Sequence, residues 1–78
     1  MKLTYDPKYN IAYLRLKDKT TQVDTIHVSE SINIDLAPDG TVYGIELLNA
    51  NKQLRDRNAK KLVVENCATG KSAAISLA

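Results

Sequence analysis

Strict alternation of apolar and polar residues from Ile32 to Leu36 constrains the fold of this chain more than any other feature. Because successive side chains of a β-strand point to opposite faces, the segment predicts a strand with three aliphatic side chains on one face. Residues 37–40 read Ala-Pro-Asp-Gly, a typical tight turn in which proline presets φ and glycine accepts a positive φ. We therefore expect residues 41–48 to return as an antiparallel partner strand.

The register of this hairpin depends on Gly44. If Ala37 lies opposite Thr41, Gly44 lies opposite Ile34, and Glu46 falls on the aliphatic face. Apolar side chains then occupy both faces of the return strand, which is typical of a central strand covered on both sides or of a bulge at Gly44 that shifts the alternation. Glycine inside a strand is unfavourable by roughly 0.5–1 kcal/mol relative to alanine. Gly44 is therefore predicted to mark a bulge with positive φ or a close approach by the helix or a second chain.

The rest of the chain predicts short strands and one helix. Residues 3–5 and 11–16 flank an Asp-Pro-Lys-Tyr-Asn turn, which indicates a hairpin, and residues 23–28 predict a strand near a sheet edge. Asn49 or Asn51 can cap a helix near residues 51–60. Residues 62–66 and 72–77 predict a final hairpin. The predicted fold class is mainly β (α+β): an antiparallel β-meander of hairpins with one short helix and a C-terminal hairpin.

Length and composition indicate one small globular domain spanning residues 1–78. Hydrophobic residues make up 44% and charged residues 26% of the 78 residues. A core of this size supplies only about 3–5 kcal/mol of net stability, and the single cysteine cannot form an internal disulfide. Self-association is therefore expected. With no apolar run of roughly 18 residues and no signal-peptide pattern at the start, we expect a cytoplasmic protein without a membrane partner.

The positive charge is concentrated near the C-terminus. Residues 1–50 contain five Lys or Arg against seven Asp or Glu, whereas residues 51–78 contain six against two. Arg55, Arg57 and Lys60 are candidate ligands for phosphate or an acidic partner. The alternative is an ordinary solvated helix face, because no aromatic residue lies between the basic ones to stack on bases.

A polar cluster on the sheet is the best candidate binding site, and it consists of Tyr5, Tyr13, Arg15 and Glu46. Arginine can hold a carboxylate through two parallel hydrogen bonds. The cluster can therefore bind a ligand, or it can consist of an Arg15–Glu46 or Tyr–Glu contact that only satisfies the sheet.

No pattern in the chain predicts catalysis. The one histidine, His27, has no companion ligand or base in sequence, and its spacing from Cys67 matches no metal site. Three glycines form no phosphate-binding loop. We therefore predict no catalytic residue, no metal and no cofactor. An enzyme acting through Asp35 or Glu46 is the least supported reading.

Several short segments, taken in order, carry a family resemblance. They are Tyr5-Asp6-Pro7, Ala12-Tyr13-Leu14-Arg15-Leu16, Ile34-Asp35-Leu36, Asp39-Gly40 and Gly44-Ile45-Glu46-Leu47-Leu48-Asn49-Ala50. Over about residues 2–54 the chain resembles a small bacterial family, domain of unknown function 2283. The tail looks like an extension found in some members, and the family commonly has an acidic residue where this chain has Asn49. The resemblance implies a compact antiparallel β domain without an established activity, whose members are sometimes associated with small toxin-like proteins.

Two functional hypotheses follow. The first is a small non-enzymatic protein-interaction domain that acts as a homodimer or binds a protein partner. The alternative is an antitoxin-like regulator that binds a small toxin-like protein, and nucleic acid through the basic residues 52–61.

Overall fold

A computed structural model of the protein describes residues 1–18, 22–54 and 61–76. The described chain is mainly β and antiparallel, with one short helix and a C-terminal hairpin, which confirms the predicted fold class. The elements are β1 Lys2–Asp6, β2 Ile11–Arg15, β3 Asp24–His27, β4 Ile32–Leu36, β5 Val42–Leu48, α1 Ala50–Gln53, β6 Lys61–Glu65 and β7 Ser72–Ser76. Within the described ranges, no helix is long and apolar enough to cross a membrane.

Five strands form one antiparallel sheet in the order β1-β2-β5-β4-β3. The predictions that the return strand is central and that the third strand lies at an edge are confirmed. After β2 the chain crosses to the opposite edge of the sheet, where it forms β3. The hairpins β3–β4 and β4–β5 then place β5 beside β2. Residues far apart in sequence therefore meet across β2 and β5.

The turn between β4 and β5 begins the hairpin as predicted. The Ala37 amide donates to the Thr41 carbonyl at 2.8 Å, and Gly40 has a φ of 85°. Asp39 fixes the turn from its side chain, because its Oδ1 accepts from the Thr41 amide at 3.0 Å and from the Thr41 hydroxyl at 2.6 Å. Lys17 forms an ion pair with Asp39 at 3.3 Å.

A β-bulge then changes the register. Leu36 pairs with Val42, but Asp35 pairs with Gly44, so Tyr43 is an extra residue in β5. The predicted pairs of Gly44 with Ile34 and of Glu46 with Ile32 are therefore wrong. The bulge expected in this region is present, although Gly44 itself does not have a positive φ.

The bulge places most aliphatic side chains at the centre of the sheet on one face and most polar side chains there on the other. The prediction that Glu46 lies among the aliphatic side chains is wrong, because the shift moves Glu46 to the side of Asn33. Apolar residues still occur on both sides of β5, since Leu48, opposite Ile11, lies on the same side as Glu46. The aliphatic face is defined by Leu3, Leu14, Ile26, Ile32, Ile34, Leu36, Val42, Ile45 and Leu47. The polar face is defined by Lys2, Thr4, Tyr13, Arg15, Thr25, His27, Asn33, Asp35, Tyr43, Gly44 and Glu46.

The helix is held by a residue from the N-terminal hairpin. Asn49 precedes α1 with a left-handed φ of 56° and makes no side-chain cap, so the predicted capping by Asn49 or Asn51 is wrong. Instead, Asn10 accepts hydrogen bonds from the Ala50 amide through its backbone carbonyl and from the Asn51 amide through its side chain. The predicted helix near residues 51–60 is described only up to Leu54, and residues 55–60 lie outside the described chain.

Burial in this fold is shallow. The only buried hydrophobic residues in the described part of the chain are Ala12, Ala37 and Ala50. The accessible surface is 6200 Å², whereas a compact monomer of 8.6 kDa exposes about 4,700 Å². The radius of gyration is 14.0 Å, against about 11.5 Å for a compact chain of this length. A stable domain normally packs two layers around one core, whereas the described residues form one five-stranded sheet, one short helix and one two-stranded hairpin.

The C-terminal hairpin is a separate two-stranded sheet. β6 and β7 pair antiparallel with Leu62 opposite Ile75 and Val64 opposite Ala73. Every residue from Lys61 to Ser76 is exposed. The hairpin therefore does not form the missing second layer over the aliphatic face.

Candidate functional site

The polar face is organised by one tyrosine that crosses its central strand. Tyr13 on β2 extends over Gly44 on β5, and its hydroxyl donates to Asp35 Oδ2 on β4 at 2.6 Å. A Cβ atom at position 44 would lie 2.7 Å from Tyr13 Cε1. Gly44 is closely approached by the Tyr13 side chain of the same sheet, and not by the helix as predicted.

Asp35 receives hydrogen bonds on both of its carboxylate oxygens. Its second partner is the Thr25 hydroxyl on β3, which donates to Oδ1 at 2.6 Å. Burial raises the pKa of the Tyr13 phenol above its usual value, and the hydrogen bond and negative charge of Asp35 raise it further. Tyr13 is therefore a protonated donor throughout the ordinary pH range, and one connected chain of hydrogen bonds joins β2, β4 and β3.

A second chain of hydrogen bonds runs beside the first. The Asn33 amide nitrogen donates to Glu46 Oε1 at 2.9 Å, and the Asn33 amide oxygen lies 2.7 Å from His27 Nδ1. Because an amide oxygen only accepts, Nδ1 carries the proton in this arrangement. The lone histidine thus belongs to a polar network on the sheet.

The four predicted binding residues on the sheet are not all brought together. Tyr13, Arg15 and Glu46 lie on the polar face, whereas Tyr5 lies opposite Ala12 on the other side of the sheet. Tyr13 and Glu46 lie directly opposite each other, but Tyr13 bonds to Asp35 and Glu46 bonds to Asn33. No ion pair joins Arg15 to Glu46 in the described chain. Arg55, Arg57 and Lys60 lie outside the described residues.

Sequence reasoning missed Asp35, Asn33, Thr25 and His27 as members of this network. The predicted register left Asp35 without these partners, because only the extra residue in β5 brings Gly44 opposite Asp35. The alternation of β4 correctly separated Asn33 and Asp35 from the aliphatic residues. Their cross-strand partners required the bulge, and no local pattern specifies on which residue a bulge falls.

A pocket of about 360 Å³ opens at the β1–β2 edge of the polar face, lined by Lys2, Thr4, Tyr13, Arg15 and Tyr43. We call it the basic pocket. Lys2 lies directly opposite Arg15 in the sheet register. Elsewhere, Cys67 is an exposed free thiol. No group of three His, Cys, Asp or Glu side chains in ranges 1–18, 22–54 and 61–76 is placed to hold a metal ion.

Together these features define a small antiparallel β-sheet domain with one aliphatic face and one hydrogen-bonded polar face. Residues 2–51 match the family model described as "Protein of unknown function (DUF2283)", and the chain belongs to this family. The match covers the five-stranded sheet and the start of α1, and it ends before the C-terminal hairpin. Neither the curated proteins nor the solved structures contain a match to the chain.

Proposed function

We propose that this protein is a small non-enzymatic interaction domain that forms a homodimer through its aliphatic face. The observation that carries the proposal is an aliphatic surface that extends over all five strands. One row of that surface runs Leu3, Leu14, Ile45, Ile34, Ile26 from one sheet edge to the other. At its β3 end Ile26 is 46% exposed. A face of this kind is stabilised when a second layer covers it.

The chain has more accessible surface than a compact monomer of its size. The accessible surface of 6200 Å² exceeds that of a compact monomer by about 1,500 Å², and both the aliphatic face and the exposed C-terminal hairpin contribute to the excess. A stable interface of ordinary size requires about 800 Å² from each partner. Two copies packed face to face would form a β-sandwich with sheets about 10 Å apart.

The chemistry of the face also favours self-pairing. A two-fold dimer places the same patch on both subunits, so the patch must be self-complementary. Rows of Leu and Ile meet this condition because apolar packing is non-directional, whereas a face carrying one sign of charge would repel its copy. The sheet edges are less suitable for assembly: β3 has only four residues, and β1 ends at Asp6, which is followed by Pro7.

The test is the mass of the protein in solution. Light scattering during gel filtration is expected to give twice the 8.6 kDa chain mass. Ile26→Glu is expected to shift the protein to monomer, because it places a charge on the aliphatic face at an already exposed position. Val63→Glu is the matched control, since Val63 is 58% exposed on the C-terminal hairpin, and it should leave the dimer intact.

A wild-type protein that stays monomeric at micromolar concentration contradicts the proposal. Loss of the dimer in Val63→Glu but not in Ile26→Glu would instead move the interface to the hairpin. The antitoxin-like alternative stays a prediction. Its nucleic-acid contacts depend on Arg55, Arg57 and Lys60, which lie outside the described residues.

A further inference from the structure

Two cations on the polar face lack a carboxylate partner among the residues the structure describes. Lys2 and Arg15 lie directly opposite each other on β1 and β2, and like charges in this position destabilise an antiparallel pair. The Nε atom of Arg15 is buried and has no hydrogen-bond partner. Buried donors are satisfied in the large majority of cases. Arg15 therefore has a donor without a partner, and the pocket that it lines together with Lys2 carries two positive charges.

The two acidic side chains at the middle of the same face are already bonded to neutral groups. Asp35 accepts from the Tyr13 and Thr25 hydroxyls, and Glu46 accepts from the Asn33 amide. The Tyr13 ring lies over Gly44, which is the residue between Arg15 and Asp35 in their cross-strand row. Tyr13 thus occupies the space across which the guanidinium would have to reach the Asp35 carboxylate.

We propose that the basic pocket binds a small molecule through an oxyanion, a phosphate or carboxylate group, held between Lys2 and Arg15. A guanidinium presents paired N–H donors that match the oxygens of such a group, and the lysine adds a point charge. The hydroxyl-bearing residues Thr4 and Tyr43 line the pocket and can donate to further oxygens. The volume of about 360 Å³ is within the range of small-molecule sites. It leaves room for more than the anionic group alone.

The pocket lies on the opposite side of the sheet from the aliphatic face. Dimer formation would leave it open, so this proposal does not rest on the proposed homodimer. Each subunit of a dimer would carry one pocket on its outer surface. Ile26→Glu, which is designed to abolish the dimer, should leave anion binding unchanged, and this separates a failure of one proposal from a failure of the other.

The experiment is an amide NMR titration of the full chain with inorganic phosphate and, separately, with acetate, at constant ionic strength. Saturable shifts are expected at Lys2, Thr4, Arg15 and Tyr43. Arg15→Gln should weaken the binding about ten-fold, because a charge-assisted hydrogen bond is lost. Lys71→Gln makes the same change of charge in the C-terminal turn and should leave the affinity unchanged.

Tighter binding of phosphate than of acetate assigns the site to phosphate esters, and the reverse order assigns it to carboxylates. Absence of a saturable shift with either anion overturns the proposal, as does equal binding by wild type and Arg15→Gln. If the amide spectrum of Arg15→Gln is that of an unfolded chain, Lys2→Gln provides the same comparison, because Lys2 is an exposed residue at the start of the edge strand.

Discussion

The two faces of the five-stranded sheet are built from the same strands but reach stability in different ways. On the polar face, Asp35 and Glu46 each have a specific hydrogen-bond partner on a neighbouring strand. On the aliphatic face, most side chains stay partly exposed. Hydrogen bonds are directional and can be completed inside one layer, whereas apolar burial requires a second layer. This difference underlies the two proposals, a small ligand on the polar face and a partner sheet on the aliphatic face.

The bulge at Tyr43 makes this division possible. Because side chains alternate with a period of two, one extra residue moves every later side chain of the strand to the other face. Without the extra residue, Glu46 would lie among the aliphatic side chains and Ile45 would lie on the polar face. The one unpaired residue in β5 therefore keeps Ile45 and Leu47 on the aliphatic face and Glu46 on the polar face.

Gly44→Val should disturb the polar face most. The new side chain would occupy the space of the Tyr13 ring, so we expect a loss of about 1–3 kcal/mol in the free energy of unfolding. Urea unfolding of the variant and the wild type measures this loss of stability. Tyr13→Ala combined with Gly44→Val should cost less than the sum of the two single changes, because the clash is then absent.

A neutral or stabilising Gly44→Val would contradict both the observed register and the Tyr13 contact. Valine is a good strand residue on a plain sheet surface, so only the close approach of Tyr13 predicts destabilisation.

Removal of the Tyr13 hydroxyl should have a smaller effect, of about 1 kcal/mol near neutral pH, because one hydrogen bond to Asp35 is lost. The pKa of Tyr13 is raised in the folded protein above the unfolded value of 10.0. The stabilisation from this group is therefore complete below pH 10.0 and decreases as the pH rises further. Tyr13→Phe should flatten this alkaline loss of stability, as measured by chemical unfolding across the pH series.

The control for this measurement is Tyr9→Phe, because Tyr9 is highly exposed. An alkaline loss of stability that is identical in wild type, Tyr9→Phe and Tyr13→Phe would show that the polar face does not depend on the Tyr13–Asp35 bond.

The smallest effect on stability is expected at the turn between β4 and β5. Hydrogen bonds from Thr41, first from its hydroxyl and then from its amide, lower the pKa of Asp39 from 3.8 to about 2, and Lys17 lowers it further. Because the folded pKa is the lower one, the stabilisation is present above about pH 4 and is lost as the pH falls toward 2. Asp39→Asn should reduce this acid sensitivity in thermal unfolding. Asp18→Asn, at an exposed acidic residue in the same half of the chain, should not.

Local sequence patterns were sufficient for the strands and for the tight turns. The alternation of β4 and the Ala-Pro-Asp-Gly turn led to the correct hairpin, and the pairing of Ala37 with Thr41 is present. Arg15 and Tyr13 were correctly placed on one face by the alternation of β2. Tyr5 was grouped with them incorrectly, because the phase of β1 relative to β2 depends on the length of the turn between them.

The sequence by itself determined where the chain extends and turns, since these depend on backbone preferences of adjacent residues and on alternation within one strand. Only the tertiary structure decided which residue becomes the bulge, that Tyr13 covers Gly44, and that Asn10 rather than Asn49 holds the start of α1. Each of these contacts joins residues that are distant along the chain. Their geometry depends on the hydrogen-bond registers of β2, β4 and β5 being satisfied together, and no single segment of the sequence contains that condition.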